Sequence, residues 1–484
     1  MSELNFDYSL LIPEFILAGT AGVVLLADVF RTELRLRRTV LPAIAALGAI
    51  ASGAVSLAYI DQADDFANLI SVDNYTTFFR VLFTAVLLIV IVGGYEYVER
   101  NIHHVGEFYT LLLLSTIGAI YMAAARELLT AYIAIELLSF SLYVAVSLAK
   151  RDPRSAEAGL KYVLLGGVAS AMLLYGLSLI YGIAGSTQYE AIGIALEAGT
   201  ADFSLALLLG LTLIIAGLGF KASAVPFHMW TPDAYEGAPL PITAYLAATA
   251  KAATFALLLR LFAGPFLPVI DDWQWIMATI AVLTMAFGNL IALQQHNLKR
   301  LLAYSSIGQV GFMLMAITTI SDASASALLL HLGGYLITNL VVFMGVIAFY
   351  NRTGSEEISD LRGLAETNPY LAVVITSGMF SLAGMPLFAG FVTKFILFQS
   401  AAQEGFLWLA TVAVAASMVS LYYYLQVIRQ MYVYQPEGDT SRWRLSPAGY
   451  ATTGVLLAGT FVVGLYPGPL FKLADNAAAV LSLA

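Results

Sequence analysis

The 484-residue chain is 60% hydrophobic and only 11% charged, with a mean hydropathy of +0.82, whereas a soluble domain carries roughly a quarter charged residues. Its composition is that of a polytopic membrane protein. Zero cysteines exclude thiolate iron–sulfur clusters, cysteine zinc sites and disulfides, and neither a phosphate-binding loop nor a dinucleotide fingerprint is present. The formal net charge of −9 says little about function.

Windows of about 20 residues predict fourteen spans, near 8–30, 38–60, 77–97, 106–125, 128–149, 156–184, 203–228, 239–263, 271–295, 300–321, 325–350, 368–400, 405–434 and 446–471. The expected fold class is an all-α polytopic membrane protein. The N-terminal stretch has no basic leader and its apolar run is too long for a signal peptide, so span 1 is expected to stay in the mature chain. The longest polar connections, about 61–76, 185–202 and 351–367, are too short for a soluble domain.

Connections after odd-numbered spans carry fifteen basic residues: Arg31, Arg35, Arg37, Arg38, Arg100, Lys150, Arg151, Arg154, Lys299, Arg300, Arg352, Arg362, Arg429, Arg442 and Arg444. The opposite side has only Arg126, Arg260 and Lys472. The positive-inside bias then places the ends of odd-numbered spans in the cytoplasm and both termini outside. Five cations remain within the spans: Arg80, Lys161, Lys221, Lys251 and Lys394.

A lysine at bilayer depth costs on the order of 3 kcal/mol and usually marks an ion or proton path. Arg80, near the start of span 3, reads as a snorkelling side chain within reach of the interface. Lys161 lies a turn or two into span 6, where snorkelling and a path role are both open. Lys221, Lys251 and Lys394 are deeper. Glu136 is the one carboxylate in the middle of span 5 and is the expected counter-charge. Moving a lysine toward or away from it by a few ångströms makes a plausible proton gate, because the pair's protonation depends on its separation. The plainer alternative is a Glu136 neutralised by protonation or by Ser139.

Around Lys221 the chain reads GLGFKASAVPFHMWTPDAYEGAPLPI, with Pro226, Pro232, Pro239 and Pro241. A proline five residues after the lysine predicts a helix broken beside its charge. His228, seven residues on, faces the same side if the helix resumes, and is a candidate relay. His331 in span 11 is either a relay member or a satisfied core histidine. His103, His104 and His296 fall in connections without ligand spacing, so no metal site is expected. Span 12, VVITSGMFSLAGMPLFAGFVTKFILF, repeats the device, with a break expected near Gly384–Pro386 and Lys394 beyond it. Paired broken segments point to inverted repeats with the functional site at the breaks. Spans 4–8 and 9–13 then form two five-helix units, dividing one membrane domain into 1–105, 106–263, 271–434 and 446–484.

KYVLLGGVASAMLLYG (161–176), the segment 217–253 with TPDAYEGAP, NLKRLLAYSSIGQVGFM (297–313), SDLRGLAETNPYLAV (359–373) and FSLAGMPLFAGFVTKF (380–395) closely resemble the subunit N family of the proton-pumping NADH:quinone oxidoreductases, respiratory complex I. The resemblance spans essentially the whole chain, and MPLFAGF is its one local departure, which touches only the shape of the second break. It implies proton translocation through a polar axis of Glu136, Lys161, Lys221, His228, Lys251 and Lys394 near the membrane midplane. It also implies assembly with other membrane and peripheral subunits, no cofactor in this chain, and flavin, iron–sulfur clusters and quinone in those partners. The expected location is the bacterial inner (plasma) membrane, with the lipid bilayer as surroundings and no nucleic-acid partner. Two other functions remain: a subunit of a multisubunit sodium/proton antiporter, or a membrane scaffold whose buried charges only specify packing. Spans 1–3, without a deep lysine, are expected to serve assembly.

Overall fold

A computed structural model describes residues 7–30, 34–199, 204–436 and 441–481. Arg31 and the side chains of Arg35 and Arg37, three of the cations used for orientation, lie outside the described residues, as do the first six residues of the chain.

The described chain is almost entirely helical. α1 (Ile12–Phe30), α2 (Leu34–Ser56), α3 (Asn74–Asn101), α4 (Val105–Ala124), α5 (Leu128–Val146) and α6 (Pro153–Ala184) are the first six spans. A hairpin of β1 (Asp64–Phe66) and β2 (Ile70–Val72), with Asp64 opposite Val72, occupies the connection before α3. After α7 (Tyr189–Glu197), span 7 is α8 (Ser204–Ala222) followed by α9 (Trp230–Gly237). Span 8 is α10 (Leu240–Tyr245), a π-helical turn over Leu246–Ala250, and α11 (Lys251–Ala263). α12 (Ile270–Ala292), α13 (Leu298–Thr318) and α14 (Asp322–Thr353) are spans 9 to 11. Beyond α15 (Leu364–Thr367), span 12 is the pair α16 (Pro369–Ala383) and α17 (Ala389–Gln403), and α18 (Leu407–Tyr432) and α19 (Pro447–Leu465) are spans 13 and 14. The last span is shorter than expected: it ends before Pro467, and a separate α20 (Gly468–Ala478) packs back on α14 and α3. Among the described residues thirteen of these stretches are long and apolar enough to cross a membrane, and α16 is a shorter apolar helix that α17 follows after a break.

The sequence marks the helix ends with caps that satisfy backbone donors left free in the first turn. Asp73 accepts from the Thr76 amide, Asp152 precedes Pro153, Asn297 accepts from Lys299 and Arg300, and Asn368 accepts from Leu371 ahead of α16. Two pairs of features correspond between spans 5–6 and spans 10–11. α6 and α14 both run 32 residues and both end at a left-handed glycine, Gly185 and Gly354. Three residues past each glycine the chain bridges antiparallel to the residue capping the preceding span, Gln188 with Glu127 and Glu357 with Asn297.

Leu240–Ala263, α13 and α14 are almost wholly enclosed, whereas α18 and α19 keep most of their length turned outward. The core therefore follows spans 8, 10 and 11. Contrary to the snorkelling expected of it, Arg80 is fully buried and makes a bidentate pair with Glu14 of α1, at 2.7 and 3.0 Å. The reason is Glu14 itself, 1% exposed inside the first span, which offers Arg80 a partner nearer than the interface. Arg260, at the end of α11, likewise reaches Asp73 at 2.8 Å and ties span 8 to span 3.

Candidate functional site

Both predicted breaks exist, and they treat their lysines differently. α8 ends one residue after Lys221, where Ser223 takes a left-handed φ of 72°. Pro226 has no amide to carry a helix onward, and helix resumes only at Trp230, whose indole NH donates to the Phe220 carbonyl at 2.9 Å and braces the break. Lys221 is 5% exposed, yet its Nζ has no hydrogen-bond partner. It lies over the rings of Tyr143 on α5 and Tyr162 on α6, 5.1 and 5.6 Å from their centroids. Glu136 is not ion-paired with it; its carboxylate accepts from Ser170 of α6 at 2.6 Å. Ser139, the local hydroxyl considered for that role, donates instead to the Ile135 carbonyl.

In span 12, Gly384 takes φ 82° and Leu387 φ 78°, and α17 restarts against the end of α16. Gly390 permits this approach, since a Cβ there would fall 1.8 Å from the Ser381 carbonyl oxygen. The break leaves carbonyls of the last turn of α16 without helical partners, and Lys394 uses one. Its Nζ donates to the Leu382 carbonyl at 2.6 Å, with Ser417 at 3.5 Å and the Phe312 ring 4.8 Å away. Lys394 also borders a cavity of about 290 Å³ among α16, α17 and α18, otherwise largely apolar in its side chains.

Lys251 opens α11 directly after the π turn. Its Nζ donates to Ser306 of α13 and sits 5.7 Å from the Tyr235 ring. Tyr335 and Asn339 of α14 donate to Ala247 inside the π turn, at 3.3 and 3.5 Å. Next to Ser306, Ser305 bonds Tyr424, and Gln309, one turn along α13, donates to the same Leu382 carbonyl as Lys394, at 3.2 Å. Hydroxyls and an amide of α13 thus link the Lys251 and Lys394 environments.

His228 lies in the non-helical stretch between α8 and α9, so the two-turn spacing from Lys221 does not apply; it is 7% exposed and its Nδ1 makes no hydrogen bond. His331 is 2% exposed and joins Lys394 by sequence neighbourhood, its Nδ1 3.0 Å from Thr393 Oγ1. Lys161 stands apart from the buried row. It is 45% exposed and pairs with Glu157 and Asp233 at 2.7 and 2.9 Å. Asp233 also meets Arg300, which pairs with Glu236, and these groups border a cavity of about 280 Å³ beside α9. No cluster of three or more His, Asp or Glu suited to a metal occurs among the described residues. Sequence reasoning missed Ser170, Tyr143, Tyr162, Tyr235 and Ser306; their only sequence signal is helical spacing with a candidate site residue, such as the seven-residue interval between Glu136 and Tyr143.

The family described as NADH:quinone oxidoreductase/Mrp antiporter, TM, matches residues 125–420, which takes in both breaks and Lys221, Lys251 and Lys394. The chain belongs to this family. Among its relatives, NADH-quinone oxidoreductase subunit N of Moorella thermoacetica is 43% identical over 84% of this chain and 85% of its own. Subunit N 2 of Chloroherpeton thalassium is 37% identical over 99% and 96%. Among solved structures, a chain of respiratory complex I from Thermus thermophilus with bound aureothin matches at TM-score 0.80 and 32% identity, over 96% of this chain and 99% of that one. A chain of the Mrp complex from Dietzia sp. DQ12-45-1b matches at TM-score 0.83 over 97% of both chains, but at 21% identity it is a likeness of fold alone. Within the family, this member's buried lysines at helix breaks are the chemistry that its fold encloses.

Proposed function

We propose that this chain is the antiporter-like, proton-translocating membrane subunit N of an NADH:quinone oxidoreductase, with no redox centre of its own. The observation that carries it is the enclosed row Lys221, Lys251 and Lys394, three ammonium groups buried inside helices without a carboxylate bonded to any of them. Burying one unpaired charge is costly, and three in one chain make sense as carriers. Buried polar atoms without partners include Lys221 Nζ itself, Ser223 Oγ and His228 Nδ1 at the first break, Thr249 Oγ1 two residues before Lys251, and Gln309 Oε1, whose amide shares the Leu382 carbonyl with Lys394. Each would cost about 1–3 kcal/mol if dry, so their concentration supports a hydrated path.

In this reading a conformational change driven by quinone reduction elsewhere in the complex brings Lys221 toward Glu136 or lets it go, and the changed field passes a proton to or from Lys251 and on toward Lys394. Lys161 works at the mouth of the path, in its ion-pair cluster. His228 and His331 sit beside the two breaks as relay candidates. The corresponding ends of α6 and α14 support two repeats, spans 4–8 and 9–13, with spans 1–3 left for assembly. Flavin, iron–sulfur clusters and quinone belong to partner subunits, and both termini face outward from a bacterial plasma membrane. The test is Lys221→Ala in the assembled complex: quinone reduction coupled to proton pumping falls to a small residue while subunit content is unchanged. Normal turnover with a normal proton gradient overturns the reading, and sodium-dependent transport would favour the antiporter alternative.

A further inference from the structure

Glu136 and Tyr143 share one face of α5, two turns apart, and Ser170, Gly166 and Tyr162 share one face of α6 at four-residue steps. The two helices therefore present two docks side by side. One is the carboxylate of Glu136 with its Ser170 donor; the other, two turns on along α5, is the pair of rings Tyr143 and Tyr162, T-shaped with centroids 4.5 Å apart. Lys221 occupies the aromatic dock, and its ammonium has no other partner there. Neither phenol hydroxyl makes a hydrogen bond, so the rings contribute faces, not oxygens. The dock is held from both sides. Tyr162 stacks on Trp230 at 4.3 Å and 6°, the same indole that braces the break, and Tyr143 lies where Gly166 leaves room, its Oη 2.0 Å from where a Cβ would stand.

We infer that Tyr143 and Tyr162 form a cation–π resting site for Lys221, holding its ammonium away from Glu136 in one of the two states of the gate. This rests on the proposed proton-translocating role and names the partner that Lys221 has when Glu136 does not hold it. An aromatic face attracts a desolvated ammonium through its quadrupole without offering it a proton acceptor. The lysine thus meets no proton acceptor there and transfers nothing until it moves. Tyr143 and Tyr162 are positioning residues, acting through Lys221.

The test keeps shape and changes only the ring's electrostatics. Tyr143→Phe, which removes the hydroxyl and keeps the ring face, is the reference against which the series is read. Phenylalanines with one, two and three ring fluorines, introduced at position 143 by nonsense suppression, then lower coupled pumping in a log-linear series, about tenfold from first to last, at constant subunit content. The same series at position 162, whose ring lies farther from the ammonium, follows a shallower slope. Should the fluorinated complexes fail to assemble, Tyr143→Leu and Tyr162→Leu against the two Phe variants give the same contrast. A flat fluorine series, or Leu variants equal to Phe, overturns the aromatic dock while leaving the role of Lys221 intact. Normal pumping by Lys221→Ala would instead remove the reading on which the dock depends.

Discussion

The α1–α3 region and the broken spans both bury charge, and they do so in opposite ways. Arg80 has Glu14 at 2.7 Å, the Leu10 carbonyl at 2.9 Å and a Tyr59 ring 5.3 Å away, so the pair is neutral and held by several bonds. Lys221 has two ring faces, Lys251 one hydroxyl and Lys394 a carbonyl and a distant hydroxyl. A buried pair of opposite charges is a fixed joint, since separating it would strand two charges. A buried ammonium with only weak, neutral partners sits in a shallow well and is free to change partner or protonation. Burial of charge alone therefore does not set the proposed path apart from the rest; the quality of its partners does.

The largest effect expected from this contrast is at Lys221, where Lys221→Ala abolishes coupled pumping without loss of assembly, measured as quinone reduction and gradient formation in membrane vesicles. At Lys394 the effect is large but incomplete. Arginine holds its proton at any physiological pH, so Lys394→Arg keeps the cation and loses the transfer, and pumping drops at least tenfold; full activity would leave Lys394 a purely electrostatic role.

On the other side of the comparison the effects fall on stability. Glu14→Ala strands a buried guanidinium at a cost of about 3–5 kcal/mol, seen as poor assembly or early thermal unfolding, whereas the double variant Glu14→Leu with Arg80→Met recovers most of it. If the double variant assembled well but did not pump, the joint would belong with the path after all. A smaller effect is expected at Asp73, which caps α3 and binds Arg260. Burial works to raise its pKa, but the Arg260 guanidinium, Ser71 and the Thr76 amide outweigh it and hold the carboxyl below its ordinary value. A depressed folded pKa means stability present above the unfolded value, near 3.9, and lost as pH falls through the folded one. Asp73→Asn should then cost roughly 2 kcal/mol at pH 7, a penalty that fades below about pH 4. The smallest effect is at Lys161, half-exposed in a surface ion-pair cluster. Lys161→Gln should leave thermal stability unchanged and slow pumping only a few-fold.

Reading the sequence went furthest where one physical requirement acts locally. The apolar helices follow from runs long enough for a bilayer, thirteen of the fourteen expected spans being long and apolar enough to cross one, and both breaks from prolines and a glycine beside a lysine, because a helix lacking an amide donor fails within a turn of the cause. The carboxylate–lysine candidates Glu136, Lys221, Lys251 and Lys394 stand out by the cost of charge in an apolar run. Partners were less legible. Arg80 looked peripheral because its depth along span 3 was counted without Glu14, which is 66 residues away in the chain.

What the chain's own order of residues determined is thus the number of spans, the places where they break and which side chains carry charge within them, since hydropathy, proline and glycine act over a few residues. Only the tertiary structure decided that Lys221 rests on Tyr143 and Tyr162 while Glu136 holds Ser170, that Lys394 takes the Leu382 carbonyl, that Lys161 turns outward to Asp233 and that Arg80 is locked to Glu14. Those outcomes depend on which helices become neighbours and in what rotation, and several side chains compete there for one buried charge. The nearest partner wins that competition by distance and geometry.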